Sequence, residues 1–517
     1  MKVVSVPTMQ DLDQKTITGG VPDNVLMERA GRAAFEEILA FVERCFAPRH
    51  RRRFCIAAGK GNNGGDGYVI ARLLREALSA QVDIYSVCDL DDLRGAAAFH
   101  ARKLPADVPV HVCSELPCET LSPGTVLIDA LLGTGISGPL RPPYDRIISQ
   151  INSSRLPVIS VDVPSGLNGD TGEIATEAVT ADLTVTMALP KRGLVTPNGL
   201  QACGRLRCVD IGVSDSHVEE APSDGEALFA ADMIQFRRRR PRDSHKYTFG
   251  RVAVIGGSRQ FAGAPMLTGA SALRAGGGLV TVMVPESIRQ EVWPAYDALI
   301  LAGIPDNDSG RFTSASVAAV RHQCENAQAV AFGPGVGRDE RTQAALKAVL
   351  DTGTPAVVDA DGLNLLSNVP SAIRRTTAPV ILTPHPGEMR RLMHAFELED
   401  TQDAGRTAQA AQLASATGAW IVLKGMGTVV AAPDGRTTVN TSGGPELASA
   451  GTGDVLTGVI AALLAQGFSP WDAATHAVYL HGLAGELQTA ARRLLVADDL
   501  LDWLGVARKE LAPAMQG

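Results

Sequence analysis

Short runs of apolar, largely β-branched residues alternate along the chain with longer stretches whose apolar positions recur every three or four residues. A strand covered on both faces reads as a continuous apolar run, so this rhythm predicts βαβ units around parallel sheets. In the first half it predicts strands at Phe54–Ala58, Val82–Val87, Val126–Ala130, Val158–Val163 and Leu183–Met187, and a helix at Asp66–Leu78. The pattern restarts at Arg251–Ile255 and continues through Leu279–Val284, Ala329–Phe332, Ala356–Asp359, Val380–Leu382 and Trp420–Leu423. Helices are expected there at Ala264–Ala275 and Gly453–Ala465. Between the halves, residues 214–243 turn polar and then basic, with arginines at 237–240 and 242, which marks the natural boundary.

Composition narrows the class. A chain of 517 residues is long enough for two to four domains at about 150 residues each. Lys plus Arg is 48 against 56 for Asp plus Glu, a net charge of −8, so no nucleic-acid partner is expected. The arginine-rich stretches at 49–53 and 237–242 read as solvated faces. Eight cysteines form no CxxC pair, which predicts reduced thiols and no zinc site. The N-terminus has no apolar core like that of a signal peptide, and no apolar run approaches the roughly 18 residues of a membrane span. A cytoplasmic protein without a membrane partner is expected, with a homo-oligomer as its assembly.

After the first strand comes Gly59-Lys60-Gly61-Asn62-Asn63-Gly64-Gly65-Asp66-Gly67, leading into a helix. Glycines there let backbone approach a ligand, and a helix N-terminus behind them aims amides at an anion. A bare glycine turn after a strand would do no more than connect; paired asparagines and an aspartate make this one less generic. Two further strand ends carry carboxylates, Asp129 opening DALLGTG and Asp162 opening DVPSGLNGDTG. In a doubly wound sheet these loops converge outside the carboxyl ends of the strands. Asn63, Asp129 and Ser165 offer oxygen ligands only, which suits a hard cation and not zinc or copper.

In the second half, Ala448-Ser449-Ala450-Gly451-Thr452-Gly453-Asp454 runs straight into an apolar helix. The amides of Gly451–Gly453 can hold developing phosphoryl charge, and Asp454 in the first helical turn can serve as general base. Lys424-Gly425-Met426-Gly427-Thr428 follows a strand and can take nucleotide phosphates. Gly333-Pro334-Gly335-Val336-Gly337 and Thr383-Pro384-His385-Pro386-Gly387-Glu388 end two more strands, placing His385 as a candidate substrate contact. No GxxxxGK[ST] is present, so the nucleotide site is not of the Walker type.

These motifs carry a resemblance. GxGNNGGDG, DALLGTG, DVPSGLNGDTG, Lys191-Arg192-Gly193-Leu194 and the early Leu26-Met27-Glu28-Arg29-Ala30-Gly31 are similar to the epimerase domain of the bifunctional NAD(P)H-hydrate repair enzymes. GPGVG, HPGE, KGMGT and AGTGD, with Gly256-Gly257-Ser258 and Phe261-Ala262-Gly263-Ala264-Pro265, resemble their ADP-dependent dehydratase domain, a ribokinase-like fold. The resemblance implies an α/β protein of two domains: a Rossmann-like three-layer sandwich over residues 1–214 and a ribokinase-like α/β/α sandwich over 229–507. It implies epimerisation of the R and S hydrates of NADH and NADPH at C6, and dehydration of the S form at the expense of ADP.

By that resemblance, the epimerase substrate lies on Asn62-Asn63-Gly64-Gly65-Asp66 and on Gly133-Thr134-Gly135-Ile136-Ser137-Gly138-Pro139, with Tyr144 and Asp162. Potassium falls to Asn63, Asp129 and Ser165, and Asp162 is the candidate acid/base. The S hydrate is expected near Ala264, Gly335, His385 and Asp454, and ADP on Lys424 to Thr428 with Gly453 at its AMP portion. Asp454 is the expected base, and Mg²⁺ is expected to neutralise the diphosphate. The chain departs from the family pattern at His245-Lys246-Tyr247-Thr248-Phe249-Gly250, which lacks a glycine after the lysine, and at Thr441-Ser442-Gly443-Gly444-Pro445-Glu446-Leu447. A ribokinase-like small-alcohol or vitamin-precursor kinase using ATP, with a nucleotide-binding accessory domain, is the competing reading; nucleotide choice separates the two.

Overall fold

Along the strand Arg53–Ala58, Phe54, Ile56 and Ala58 enter one apolar cluster while Cys55 and Ala57 enter another on the opposite face. Both faces of that strand are therefore covered, which is why its sequence is apolar without alternation. The first cluster is completed by Leu26, Ala34 and Ile38 of the helix Asp23–Cys45 and by Val69 and Leu74 of the helix Asn62–Leu78; the second by Ile147, Ile148 and Ile151 of the helix Tyr144–Ser153.

The computed structural model describes all residues except 46–52, 137, 237–239, 293–295, 400–404, 491–493 and 512–517. Ser137 and most of both arginine-rich stretches thus lie outside the described residues. The chain divides into two compact units, Met1–Phe229 and Ala230–Gly517. Strands of the first are β1 (Lys2–Val3), β2 (Arg53–Ala58), β3 (Gln81–Ser86), β4 (Val110–Val112), β5 (Thr125–Ala130), β6 (Val158–Val161), β7 (Leu183–Met187), β8 (Arg205–Val209) and β9 (Gly225–Leu228). A parallel sheet runs β4-β3-β2-β5-β6-β7-β8, and β1 pairs with β9 antiparallel. The chain reverses direction across the sheet between β2 and β5, and such a switch point opens a crevice at the carboxyl ends of the strands.

The second unit repeats the principle with β10 (Arg251–Ile255), β11 (Leu279–Pro285), β12 (Ile300–Ile304), β13 (Ala329–Phe332), β14 (Ala356–Val358), β15 (Val380–Leu382), β16 (Trp420–Leu423), β17 (Val429–Ala431) and β18 (Thr437–Asn440). Its parallel portion runs β12-β11-β10-β13-β14-β15-β16, with the switch between β10 and β13, and β17 and β18 continue antiparallel. The helix Thr452–Ala465 is buried nearly all round, packed on the helix Ala264–Arg274 and against β10, β13 and β14. Gly458 permits that packing, because a Cβ there would stand 2.0 Å from the Thr268 carbonyl oxygen.

Two expectations are corrected. The helix predicted from Asp66 begins at Asn62, so the glycine-rich segment is its first turn and not a loop. Its glycines read as breakers by propensity, yet a Cβ on Gly64 would meet the Gly59 carbonyl oxygen at 1.9 Å and one on Gly67 would meet Ala130 Cβ at 2.8 Å. The other helix starts at Thr452, one residue before the predicted Gly453, behind Gly451 at φ +90°. Among the described residues no helix is long and apolar enough to cross a membrane.

Candidate active sites

In the first unit a cleft of about 630 Å³ opens at the switch point. Asn62, Asn63, Asp66, Gly133, Thr134, Gly135, Ile136, Tyr144 and Asp162 line it. Gly64 and Gly65 are not in its lining: the helix turns them inward, where Cβ atoms would collide with Gly59 and with Met27. Gly138, at φ +81°, and Pro139 lie outside the lining, and Gly138 has open space around it.

Asp129 and Ser165 sit beneath the cleft, both 0% exposed. The Asp129 carboxylate accepts from Ser165 N and Ser160 Oγ at 2.9 Å, from Ser165 Oγ at 2.5 Å and from Leu131 N at 3.3 Å. Burial raises its pKa and these bonds pull against that rise; none comes from a cationic side chain. Leu132 ties the group together, its carbonyl accepting from Asn63 Nδ2 at 2.9 Å and its amide donating to Ser165 Oγ at 2.9 Å. Asn63 Oδ1 is buried without a hydrogen-bond partner. An orphaned amide oxygen, a carboxylate and a hydroxyl around one backbone hub fit a hard monovalent cation.

Asp162 follows β6 in the left-handed region at φ +62°, a conformation aspartate tolerates better than most residues but which is uncommon outside functional turns. Its Oδ1 accepts from Lys191 Nζ at 2.5 Å, Thr186 Oγ1 at 3.1 Å and Met187 N at 3.3 Å. Lys191 is 1% exposed and also donates to Thr186 Oγ1 and Met187 O. Two further carboxylates share the cleft. Burial, then Asp162 and Asp13, pushes Asp66 well above the usual range; burial raises Asp13 to about 6, with Lys191 lowering it and Asp162 raising it. Sequence reasoning assigned no role to Lys191 or Asp13. Asp13 had one signal, a carboxylate beside the apolar positions Val6, Met9 and Leu12 on the inner face of the helix Val6–Thr18.

In the second unit, Asp454 occupies the third position of the helix Thr452–Ala465, and burial raises it to about 7, Asp359 adding to the rise and Lys424 opposing it. Lys424 lies beside this helix start. Its Nζ bonds Asp359 Oδ1 at 2.6 Å, and a Cβ on Gly453 would stand 3.4 Å from that nitrogen. Thr457 Oγ1 donates to Asp359 Oδ2 at 2.6 Å, so Asp359, 1% exposed, is held on both oxygens. The lysine expected to reach out to phosphates is thus a counter-ion at the base of the helix. Gly425 and Gly427 take positive φ, and Arg406 ties the turn from behind through the carbonyls of Leu423, Lys424 and Met426. Thr428 Oγ1 donates to Gly425 O at 3.0 Å, and Met426 is half exposed.

His385 caps the helix Pro386–Ala395: its Nδ1 accepts from Gly387 N at 2.9 Å while Glu388 accepts from its backbone amide at 2.8 Å. Its side chain remains 53% exposed. Gly335, at φ +68°, packs against Phe261 and Ala264, the first residue of the helix Ala264–Arg274. The GPGVG turn is linked to the start of the helix Thr452–Ala465 through Asp361, which accepts from Gly337 N at 3.1 Å and also raises Asp454. Asp359, Asp361, Thr457 and Arg406 were missed in sequence, since lone residues after a strand or inside a helix carry no motif. Among the described residues no cluster of three or more His, Cys, Asp or Glu side chains is arranged to hold a metal.

Two doubly wound units, each with a lysine–aspartate pair at the carboxyl end of its parallel sheet, define a two-domain α/β protein. Residues 252–504 match the family described as NAD(P)H-hydrate dehydratase, and residues 23–193 the YjeF-related protein N-terminus. A bifunctional NAD(P)H-hydrate repair enzyme Nnr of Moorella thermoacetica is 36% identical over 523 residues, covering 99% of this chain and 97% of its own. The Escherichia coli relative of the same name is 36% identical over 484 residues, covering 93% of this chain and 88% of its own. An ADP/ATP-dependent NAD(P)H-hydrate dehydratase from Bacillus subtilis, co-crystallised with ATP and Mg²⁺, matches 56% of this chain and 99% of its own, with 30% identity and a TM-score of 0.48. The chain belongs to the bifunctional NAD(P)H-hydrate repair enzyme family. Its first unit is Rossmann-like and its second ribokinase-like.

Proposed function

We propose that this chain repairs hydrated nicotinamide cofactors in two steps, the first unit interconverting the R and S hydrates of NADH and NADPH and the second dehydrating the S form with ADP. The observation that carries the reading is the pairing, in one chain that belongs to the family, of two buried carboxylate centres, one in the cleft of the first unit and one at the start of the helix Thr452–Ala465. In the second unit Asp454 takes the proton of the C6 hydroxyl as its oxygen attacks the β-phosphorus of ADP, and the bond to the α-phosphate oxygen breaks to release AMP. The amides of Gly451–Gly453 hold the charge that develops. Phosphate then leaves C6 with the C–O electron pair as C5 loses a proton, restoring the ring double bond. A carboxyl raised to about 7 by burial suits this duty, because a base that titrates near neutrality is both available and strong.

Ala264, Gly335 and His385 place the S hydrate, the turn Lys424 to Thr428 receives the nucleotide, and Gly453 meets its AMP portion. Lys424 contributes by balancing Asp359 and Asp454. In the first unit Asn62, Asn63, Asp66, the 133–136 segment and Tyr144 hold the substrate, with Asp162 moving the proton that a stereocentre beside a ring nitrogen requires. Asn63, Asp129 and Ser165 would hold potassium, which would screen the buried Asp129 charge and brace the loops beneath the substrate. Magnesium would enter with ADP and neutralise its diphosphate. The test is absorbance at 340 nm during incubation of mixed R and S NADH hydrate with ADP, Mg²⁺ and K⁺. Recovery of NADH beyond the S fraction is expected; recovery that stops there removes the epimerase, and none with ADP favours the kinase.

A further inference from the structure

Asp162 has its lysine, but reversible epimerisation needs two proton carriers, one to protonate the departing hydroxyl and one to deprotonate the incoming water. In one direction a carboxylate bonded to an ammonium can serve the second duty, and in the reverse direction the two carriers exchange roles. The structure holds another candidate on the helix Val6–Thr18. Asp13 lines the same cleft as Asp162 and Lys191, and its Oδ1 is buried without a hydrogen-bond partner. A buried carboxyl oxygen that nothing satisfies is costly unless the group is protonated or a ligand completes it.

The helix that carries Asp13 is locked in place. Val4 bridges Lys191, donating to Pro190 O at 3.0 Å and accepting from Arg192 N at 2.9 Å; Ser5 caps the helix start, and Val6 N donates to Asp170 Oδ1 at 2.7 Å. The bridge that positions Lys191 for Asp162 therefore also positions Asp13.

We propose that Asp13 is a second catalytic residue of the epimerase, the acid that works opposite Asp162; this rests on the epimerase reading of the first unit. Asp13 gives its proton to the C6 hydroxyl, the C6–O bond breaks with its electron pair leaving as water, and the N1 lone pair forms the N1=C6 bond. Water then adds to C6 from the other face, the N1=C6 pair returns to nitrogen, and the proton of that water passes to Asp162. Exchange with solvent restores both carboxyls, so the net change is inversion alone. The groups that face Asp13 are Asp162 and Lys191 from the segments after β6 and β7 and Asp66 from the helix Asn62–Leu78, and Lys60, Asp23 and Tyr144 also line the cleft. Burial places Asp13 at about 6, so the acid form is lost as pH rises through that range.

The experiment uses the full chain without nucleotide, which silences the dehydratase, and follows the R to S ratio of NADH hydrate chromatographically in H₂¹⁸O. Asp13→Asn is expected to lower kcat for epimerisation at least about 100-fold with KM within threefold, and to abolish the fall of kcat above about pH 6. Asp13→Glu is expected to recover part of the rate and to keep that fall, and each inversion by the unaltered chain to bring one ¹⁸O into C6. Unchanged kcat in Asp13→Asn, a loss with the pH profile intact, or an effect on KM alone would overturn the assignment, as would inversion with the original oxygen retained. If Asp13→Asn does not fold, an Asp13→Glu protein that folds but lacks the pH-dependent limb overturns it equally. A wild-type chain that inverts no hydrate would refute the epimerase reading itself, a result distinct from all of these.

Discussion

Each unit places a lysine–aspartate pair at the carboxyl end of its parallel sheet, yet the two pairs hand the lysine to different carboxylates. In the first unit Lys191 bonds Asp162 itself, the candidate base. In the second Lys424 bonds Asp359, and Asp454 is left beside the pair with burial raising it to about 7. The same two residue types thus build two kinds of site. Where the lysine meets the proposed base directly, an ammonium holds one carboxylate oxygen; where it meets a neighbour, burial lets the proposed base keep its proton until near neutrality.

The largest expected effects test whether the two carboxylates are independent centres. Asp454→Ala should lower dehydration of the S hydrate by about 10²–10⁴-fold and leave epimerisation unchanged, while Asp162→Ala should do the reverse. Both are read at 340 nm with pure S and mixed hydrates, and an active Asp162→Ala epimerase would remove the first half of the comparison. Next is the cost of the directly bonded pair. Lys191→Met should destabilise the first unit by about 3–5 kcal/mol in denaturant unfolding, since it strands Asp162 beside a fully buried position.

A smaller effect, of opposite sign, belongs to Asp454. Its pKa is higher folded than unfolded, so the folded chain binds that proton more tightly and stability is lost as pH rises from about 4 to about 7. Asp454→Asn should therefore stabilise the second unit at pH 8, by about 2 kcal/mol after allowance for partial exposure, and not at pH 4. In the unaltered chain kcat/KM for dehydration should rise with pH through about 7 as the base ionises. Lys424→Met removes the charge that opposes the rise, so the same limb should move up by about one unit. An unmoved limb would mean that Lys424 does not act on Asp454. The smallest change is Gly135→Ala, where a Cβ meets open space. It should leave unfolding unchanged within about 0.5 kcal/mol and raise KM for epimerisation by a few fold.

Strands buried on both faces were legible to the residue: β7, β10, β13, β15 and β16 have the bounds their apolar runs predict. Strands at sheet margins were not. Arg205–Val209 mixes arginines with apolar residues, Val110–Val112 is largely exposed, and the pair Val429–Ala431 and Thr437–Asn440 is too short to stand out from a turn. Such segments become strands because a neighbour offers a free edge, a fact with no local signature. The helix start at Asn62 was hidden for a related reason. Four glycines read as a loop until Gly59 and Ala130 show how closely that turn must pass.

The site divides along the same line. The sequence by itself determined the two parallel sheets, the glycine turns at their strand ends, Asp129 and Asp162 as carboxylates at those ends and Asp454 in the first turn of a helix, because each depends on residues adjacent in the chain. Tertiary structure alone decided which lysine serves which aspartate, since Lys191 meets Asp162 across 29 positions and Lys424 meets Asp359 across 65. It also brought Asp13 into the cleft and orphaned Asn63 Oδ1 beneath it. A carboxylate's acidity is set by the charges and the water that folding brings to or removes from it, and no spacing along the chain encodes that.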